Sequence, residues 1–233
     1  MFYLDLSLDR KVTLLLQENI RHPFIVKMDY AFQSDSKLFF VLEYCPGGEL
    51  FFYLSQIGRF KEDAARFYAS NILLSLHHLH SQDILYRDLK PENVLVAADG
   101  YVKIADFGLS KENIQGHSDA KSICGTAEYL APEVVTRRGH GQSVDFWSLG
   151  VIVYEMMYGV TPFFAETNRD IFKRILQGDV EFPTVNLSDS SSTSRVEDGA
   201  EDGVEDGVES CCDLILRLLD QAPMTRLGAL LDG

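Results

Sequence analysis

Two short β-prone runs, Val94-Leu95-Val96 and Tyr101-Val102-Lys103-Ile104, stand on either side of Asp99-Gly100. Asp-Gly between such runs is a strong signal for a tight antiparallel hairpin, because glycine accepts the positive φ that the turn demands. The hairpin carries Asn93 just before one strand and Asp106 just after the other. Closing the turn brings these two residues to the same open end. Two oxygen ligands side by side suit Mg²⁺, which takes few protein ligands and leaves room for phosphate oxygens.

The chain has 233 residues, enough for one large domain or two small ones, and 46% of them are hydrophobic, so it can bury a core. The formal charge of −14 argues against nucleic acid as a partner, since phosphate contacts need Lys and Arg. Much of that charge is local. Glu197, Asp198, Glu201, Asp202, Glu205, Asp206 and Glu209, offset only by Arg195, give −6 and leave −8 for the rest. Cys45, Cys124, Cys211 and Cys212 have neither disulfide-framework nor zinc spacing. Reduced thiols in a cytoplasmic or nuclear protein are expected. Met1-Phe2-Tyr3-Leu4 lacks the basic flank of a signal peptide. The most apolar run, Trp147 to Val160, is interrupted by Glu155 and too short for a bilayer, so no membrane span is expected.

Residues 9–20 read as a helix ended by Pro23, and Ile25 to Ala31 and Leu38 to Glu43 as strands. Pro46-Gly47-Gly48 breaks the pattern like a hinge. Helices are expected at Glu49 to Leu54, at Glu62 to His80, near 145–158 and at Arg169 to Gln177. Ser110 to Tyr129 reads as a loop. His77, His78 and His80 fall on the last turns of the long helix, where helix-end electrostatics and packing favour them. Residues 188–210, serine-rich and then repeating Glu-Asp-Gly, cannot bury enough apolar area to offset ordering entropy and read as a disordered insert. A final helix is expected from Cys211 to Leu219.

The stretch Tyr86-Arg87-Asp88-Leu89-Lys90-Pro91-Glu92-Asn93, followed by Asp106-Phe107-Gly108, resembles the catalytic loop and metal-binding triplet of a protein kinase. From His22 onward, apart from the acidic insert, the chain resembles the AGC group of serine/threonine kinases. The carriers are His22-Pro23-Phe24-Ile25-Val26, Gly47-Gly48-Glu49-Leu50, Cys124-Gly125-Thr126-Ala127-Glu128-Tyr129-Leu130-Ala131-Pro132-Glu133, and Asp145-Phe146-Trp147-Ser148-Leu149-Gly150. Pro162-Phe163-Phe164-Ala165 looks most like the cyclic-nucleotide-dependent members, and tyrosine before Arg87-Asp88 is an AGC habit. The resemblance implies an α+β, bilobal fold. Residues 1–45 would be a truncated small β lobe of one helix and two strands with the hinge, and residues 46–233 a mainly helical large lobe.

It also implies an ATP-dependent kinase using Mg²⁺. Asp88 would accept the substrate hydroxyl's proton, Lys90 would neutralise charge on the transferring group, and Thr126 would contact both. Asn93 and Asp106 would hold Mg²⁺. Backbone groups of Glu43 and Cys45 would read the adenine edge, Leu95 would form its floor, and Glu49 would meet the ribose. Glu49, Glu92, Glu128 and Glu155 resemble an acidic cluster that receives arginines ahead of the phosphoacceptor in protein substrates. Ser122, with Arg87 as partner, sits where an upstream kinase would phosphorylate. Asp145 would brace the catalytic loop, and Glu133 with Arg226 would form a buried ion pair. No Gly-x-Gly-x-x-Gly or Val-Ala-x-Lys precedes the match. Thr13 stands where the family carries a glutamate on its first helix, with Asp9 and Glu18 a turn away. Two readings stay open: a working kinase met as an incomplete chain, or a pseudokinase acting as a binding or scaffold protein.

Overall fold

The computed structural model describes residues 3–4, 20–34, 38–111, 125–183 and 202–229. Strands β1 (Tyr3–Leu4), β2 (Met28–Gln33) and β3 (Leu38–Leu42) form one antiparallel sheet in the order β1-β3-β2. Two strands were expected here; Tyr3 pairs with Phe39 and Leu4 with Leu38 to add a third. An open strand edge presents unpaired N–H and C=O groups that recruit any extended segment within reach. A two-residue strand leaves no period-2 signal in a sequence. The expected strand from Ile25 is also displaced. Ile25 makes a single bridge to Ile104, and the strand proper runs from Met28. The helix expected at 9–20 lies outside the described residues except for Ile20, which is buried in the main core.

The hairpin forms as the Asp-Gly turn dictates. Strands β5 (Val94–Val96) and β6 (Val102–Ile104) pair Val94 with Ile104, Leu95 with Lys103 and Val96 with Val102. Short strand β4 (Gly48–Glu49) adds to β5, and the chain turns directly into α1 (Leu50–Ile57). The long amphipathic helix α2 (Glu62–His80) buries Ala65, Ile72, Leu76 and Leu79. Val26 N–H donates to Ile104 O (2.9 Å) and Ile104 N–H to Phe24 O (2.9 Å), so β6 joins the small sheet's entry segment to the helical part.

After the short α3 (Pro132–Val135) comes α4 (Ser143–Tyr158), buried at every position from Ser143 to Met156. A helix apolar on all sides belongs at the centre of a core. It packs against α2 on one side and α6 (Asp202–Leu218) on another. A Cβ on Gly150 would stand 2.8 Å from that of Leu218, so glycine permits the α4–α6 approach. Helix α5 (Asn168–Gln177) is capped by Thr167, whose hydroxyl oxygen accepts from Asp170 N–H. Helix α6 corrects the disordered insert, since it begins at Asp202 rather than Cys211. Val204, Val208, Cys211 or Cys212, and Ile215 recur at helical spacing, and acidic residues suit a helix N-terminus. Residues 188–201 of that insert lie outside the described residues.

Candidate active site

The loop between α2 and β5 is held by one fully buried carboxylate. Asp145 Oδ1 accepts from Arg87 N–H (2.8 Å), and Oδ2 accepts from Tyr86 N–H (2.9 Å). His80 Nε2 lies 2.8 Å from the same Oδ2. These bonds hold Arg87 at φ +71°, a left-handed conformation that costs energy for a side chain of this size. Tyr86 OH donates to Ala105 O, and its ring meets Phe107 edge-on at 5.4 Å. Burial and the carboxylates of Asp88, Asp106 and Asp145 push the Tyr86 phenol well above its ordinary range, so it stays a neutral donor.

Four side chains converge beyond this brace. Asn93 Nδ2 donates to Asp88 O (2.8 Å) and to Asp88 Oδ2 (2.9 Å). Lys90 Nζ lies 3.1 Å from Asp88 Oδ2 and donates to Thr126 Oγ1 (3.1 Å). Thr126 therefore reaches Asp88 through the ammonium of Lys90. Gly125 makes this approach possible, because its φ is +104° and a Cβ there would stand 3.0 Å from Arg87 O. Asp88 is 9% exposed: sheltered, but open on one side.

The hairpin closes the site from the other end. Ala105 N–H donates to Asn93 O (2.8 Å), and Asp106 follows at once, exposed and at φ +53°. Its Oδ1 accepts from Gly108 N–H (3.0 Å). Because the Asn93 amide nitrogen is committed to Asp88, its oxygen is the group left for a cation. One amide oxygen and one exposed carboxylate fit Mg²⁺, a hard ion that keeps several other oxygens. Among the described residues no three His, Cys, Asp or Glu side chains form a metal cluster.

Cys45 packs with Val26 and Ala105, with Leu42 and Leu95 against them, in a small apolar cluster beside the hinge. Among the described residues the Glu43 carbonyl and the Cys45 N–H have no hydrogen-bond partner. An acceptor and a donor two residues apart over an apolar floor can read the edge of a flat heterocycle. Glu49 is exposed at the start of α1.

The acids divide. Glu155, 8% exposed, accepts from Tyr129 OH (2.6 Å). Burial, together with Glu92 and Glu128, pushes its carboxyl up to about 7. Glu128 accepts from Thr161 Oγ1 (2.5 Å), and Glu92 Oε2 is buried with no hydrogen-bond partner among the described residues. Glu92, Glu128 and Glu155 thus share one neighbourhood. Glu49 lies on strand β4, which packs against the turn that carries Glu92. Glu133 and Arg226 pair through two bonds, 2.7 and 3.0 Å. Arg87 Nε donates to Leu109 O (2.6 Å), and Ser122 lies outside the described residues.

Sequence reasoning missed His80 as the third contact of Asp145, and the Tyr129 and Thr161 hydroxyls on the acids. Tyr129 stood inside a quoted motif, which was the available signal. His80 lies 65 positions from Asp145, and no local pattern links them.

Comparison with known proteins gives one consistent answer. The family described as "Protein kinase domain" matches residues 12–230. The chain is 45% identical over 212 residues to "Ribosomal protein S6 kinase beta" of Caenorhabditis elegans, covering 91% of this chain and 35% of that protein. It is 50% identical over 165 residues to "Protein kinase 2" of Dictyostelium discoideum, 71% of this chain and 34% of that one. It is 49% identical over 166 residues to "RAC-beta serine/threonine-protein kinase" of Rattus norvegicus, again 71% and 34%. The chain spans about a third of the length of these relatives. Among the described residues no helix is long and apolar enough to cross a membrane. With a family match over nearly its whole length and these relatives, the chain belongs to the protein kinase family, in its AGC group of serine/threonine kinases.

Proposed function

We propose that this chain carries the phosphotransfer site of a serine/threonine kinase that uses Mg²⁺ and ATP. The single observation that carries this reading is the Asp88–Asn93–Lys90–Thr126 network closed against Asp106 by the hairpin. Asn93 and Asp106 hold the ion, which, when bound, neutralises charge on the phosphates. Asp88 orients the incoming hydroxyl and accepts its proton at Oδ1, while Oδ2 stays engaged by Asn93 and Lys90. Lys90 offsets charge gathering on the transferred group. Glu43 O and Cys45 N–H bind adenine over Leu95, and Glu49 binds the ribose. Positioning and electrostatics do the catalytic work, as phosphoryl transfer requires.

The preferred substrates are proteins with arginine two and three residues before Ser or Thr. Glu92, Glu128 and Glu155, with Glu49 at the edge, supply the carboxylates, and guanidinium binds these through paired, charge-assisted bonds. Ser122 is the site for an upstream kinase, its phosphate adding roughly −1.5 to −2 charge opposite Arg87. A cytoplasmic or nuclear setting suits the thiols. A second reading, a pseudokinase that binds partners without turnover, is favoured by Thr13, which stands where the family carries a glutamate on its first helix. Phosphotransfer from Mg²⁺-ATP to an Arg-Arg-x-Ser peptide, by this chain and by one carrying a grafted glycine loop and lysine strand, tests both. Asp88→Asn and Asp106→Asn are each expected to remove nearly all transfer, and retained activity in Asp106→Asn defeats the metal assignment. Nucleotide binding with no transfer by either chain selects the second reading.

A further inference from the structure

β6 carries a single charged side chain, Lys103, between two buried aliphatics. Lys103 lies opposite Leu95 in the hairpin register, and directly opposed residues of antiparallel strands share one face. Lys103 therefore projects from the face on which Leu95 packs against Cys45. Its side chain is only 15% exposed, so its ammonium needs a partner. That partner is Glu43 of the hinge, with Nζ 2.6 Å from Oε1. The other Glu43 oxygen accepts from Lys27 N–H (3.3 Å), and Glu43 N–H donates to Lys27 O (2.8 Å). Lys27 follows Val26, whose N–H donates to Ile104 O beside Lys103 (2.9 Å).

The contacts close a ring from Lys103 to Glu43, to Lys27, to Val26, to Ile104 and back to Lys103. One side of the ring is the hinge, whose Glu43 carbonyl and Cys45 N–H have no partner among the described residues. The opposite side is the hairpin whose open end bears Asn93 and Asp106. Cys45 also packs with Ala105 and Leu95, and Gly47 N–H donates to Val96 O (3.0 Å) at the far end of the hinge, but among the described residues Lys103–Glu43 is the one ion pair between hinge and hairpin.

We propose that Lys103 is a positioning residue for the nucleotide: through the Glu43 side chain it fixes the adenine-reading hinge at a set distance from the metal-binding end of the hairpin. This rests on the nucleotide-binding reading above. An ordinary exposed ion pair contributes little, and its removal leaves ligand affinity unchanged. A strut inside the binding frame behaves differently, because a site loosened by about 1 Å loses affinity for whatever must span it.

The test is titration of the full chain with Mg²⁺-ATP, adenosine and inorganic triphosphate. Lys103→Met is expected to weaken Mg²⁺-ATP about tenfold, since the purine and the phosphates are no longer registered to one another. It is expected to leave Mg²⁺-triphosphate binding within about twofold, because Asn93 and Asp106 are untouched. Glu43→Gln, which keeps the hinge backbone, is expected to behave like Lys103→Met and replaces it if that variant fails to fold. Lys103→Arg and the charge swap Lys103→Glu/Glu43→Lys are expected to recover Mg²⁺-ATP affinity to within about threefold. Equal ATP affinity in Lys103→Met, Glu43→Gln and the parent overturns the proposal while leaving the nucleotide site standing. Equal losses for ATP and triphosphate also overturn it, because they mark a general loss of structure. A parent that binds none of the three ligands overturns the nucleotide reading and this proposal with it.

Discussion

Removing Arg226 tests how the large lobe is held together. The residue is fully buried, and all three of its guanidinium nitrogens donate hydrogen bonds. It makes two bonds to Glu133 (2.7 and 3.0 Å), one from Nη1 to Ser143 O (2.9 Å) and one from Nε to Asp220 O (3.0 Å). Its guanidinium carbon lies 5.1 Å from the centre of the Trp147 ring. Arg226→Met keeps much of the aliphatic stem but strands Glu133, itself 6% exposed. Stranding one partner of a buried ion pair costs about 3–5 kcal/mol, and losing a desolvated cation–π contact adds up to about 2. The expected loss is on the order of 5 kcal/mol, comparable to the whole stability of a marginal domain. Replacing both charges should cost less than the single change, because no uncompensated carboxylate remains. Arg226→Met/Glu133→Met is therefore expected to recover about 1–3 kcal/mol of what Arg226→Met loses. Urea unfolding followed by the fluorescence of the chain's one tryptophan, Trp147, reports the site directly. A loss below about 1 kcal/mol in Arg226→Met, or a double variant whose cost is the sum of the singles, refutes the reasoning.

Asp145→Asn keeps the shape but replaces one acceptor oxygen with a donor amide facing Tyr86, Arg87 or His80. A loss on the order of 3 kcal/mol is expected, with faster hydrogen exchange at the Tyr86 and Arg87 amides; unchanged exchange there counts against the brace. The Glu155 carboxyl, raised to about 7, has a folded-state value above its unfolded one, so its contribution to stability is complete below about pH 4.5 and is lost as pH rises through 7. Glu155→Gln is expected to remove that dependence and to exceed the parent's stability at pH 8 by up to roughly 3 kcal/mol; parallel melting-temperature curves from pH 5 to 8 would refute it.

The chain's local chemistry declares itself in the sequence. Asp99-Gly100 between β-branched runs specifies a hairpin because few other residues accept its turn, and the hairpin alone determines that Asn93 and Asp106 end up together. The apolar run after Asp145 announces a buried helix, and the α+β class follows from the family resemblance that the kinase motifs carry. Local signals were weaker where pairing energy comes from elsewhere. Tyr3–Leu4 is a strand only because β3 offers an edge, and α6 extends to Asp202 through a spacing masked by the acidic repeat. The fold decided what no local pattern could hold. Asp145 meets His80 across 65 residues, Arg226 meets Glu133 across 93, and Lys103 meets the Glu43 side chain across 60. Periodicity and turn chemistry act within a few residues of the backbone, whereas a buried charge must be satisfied by whichever partner the packed chain brings within about 3 Å. That partner is settled by tertiary topology.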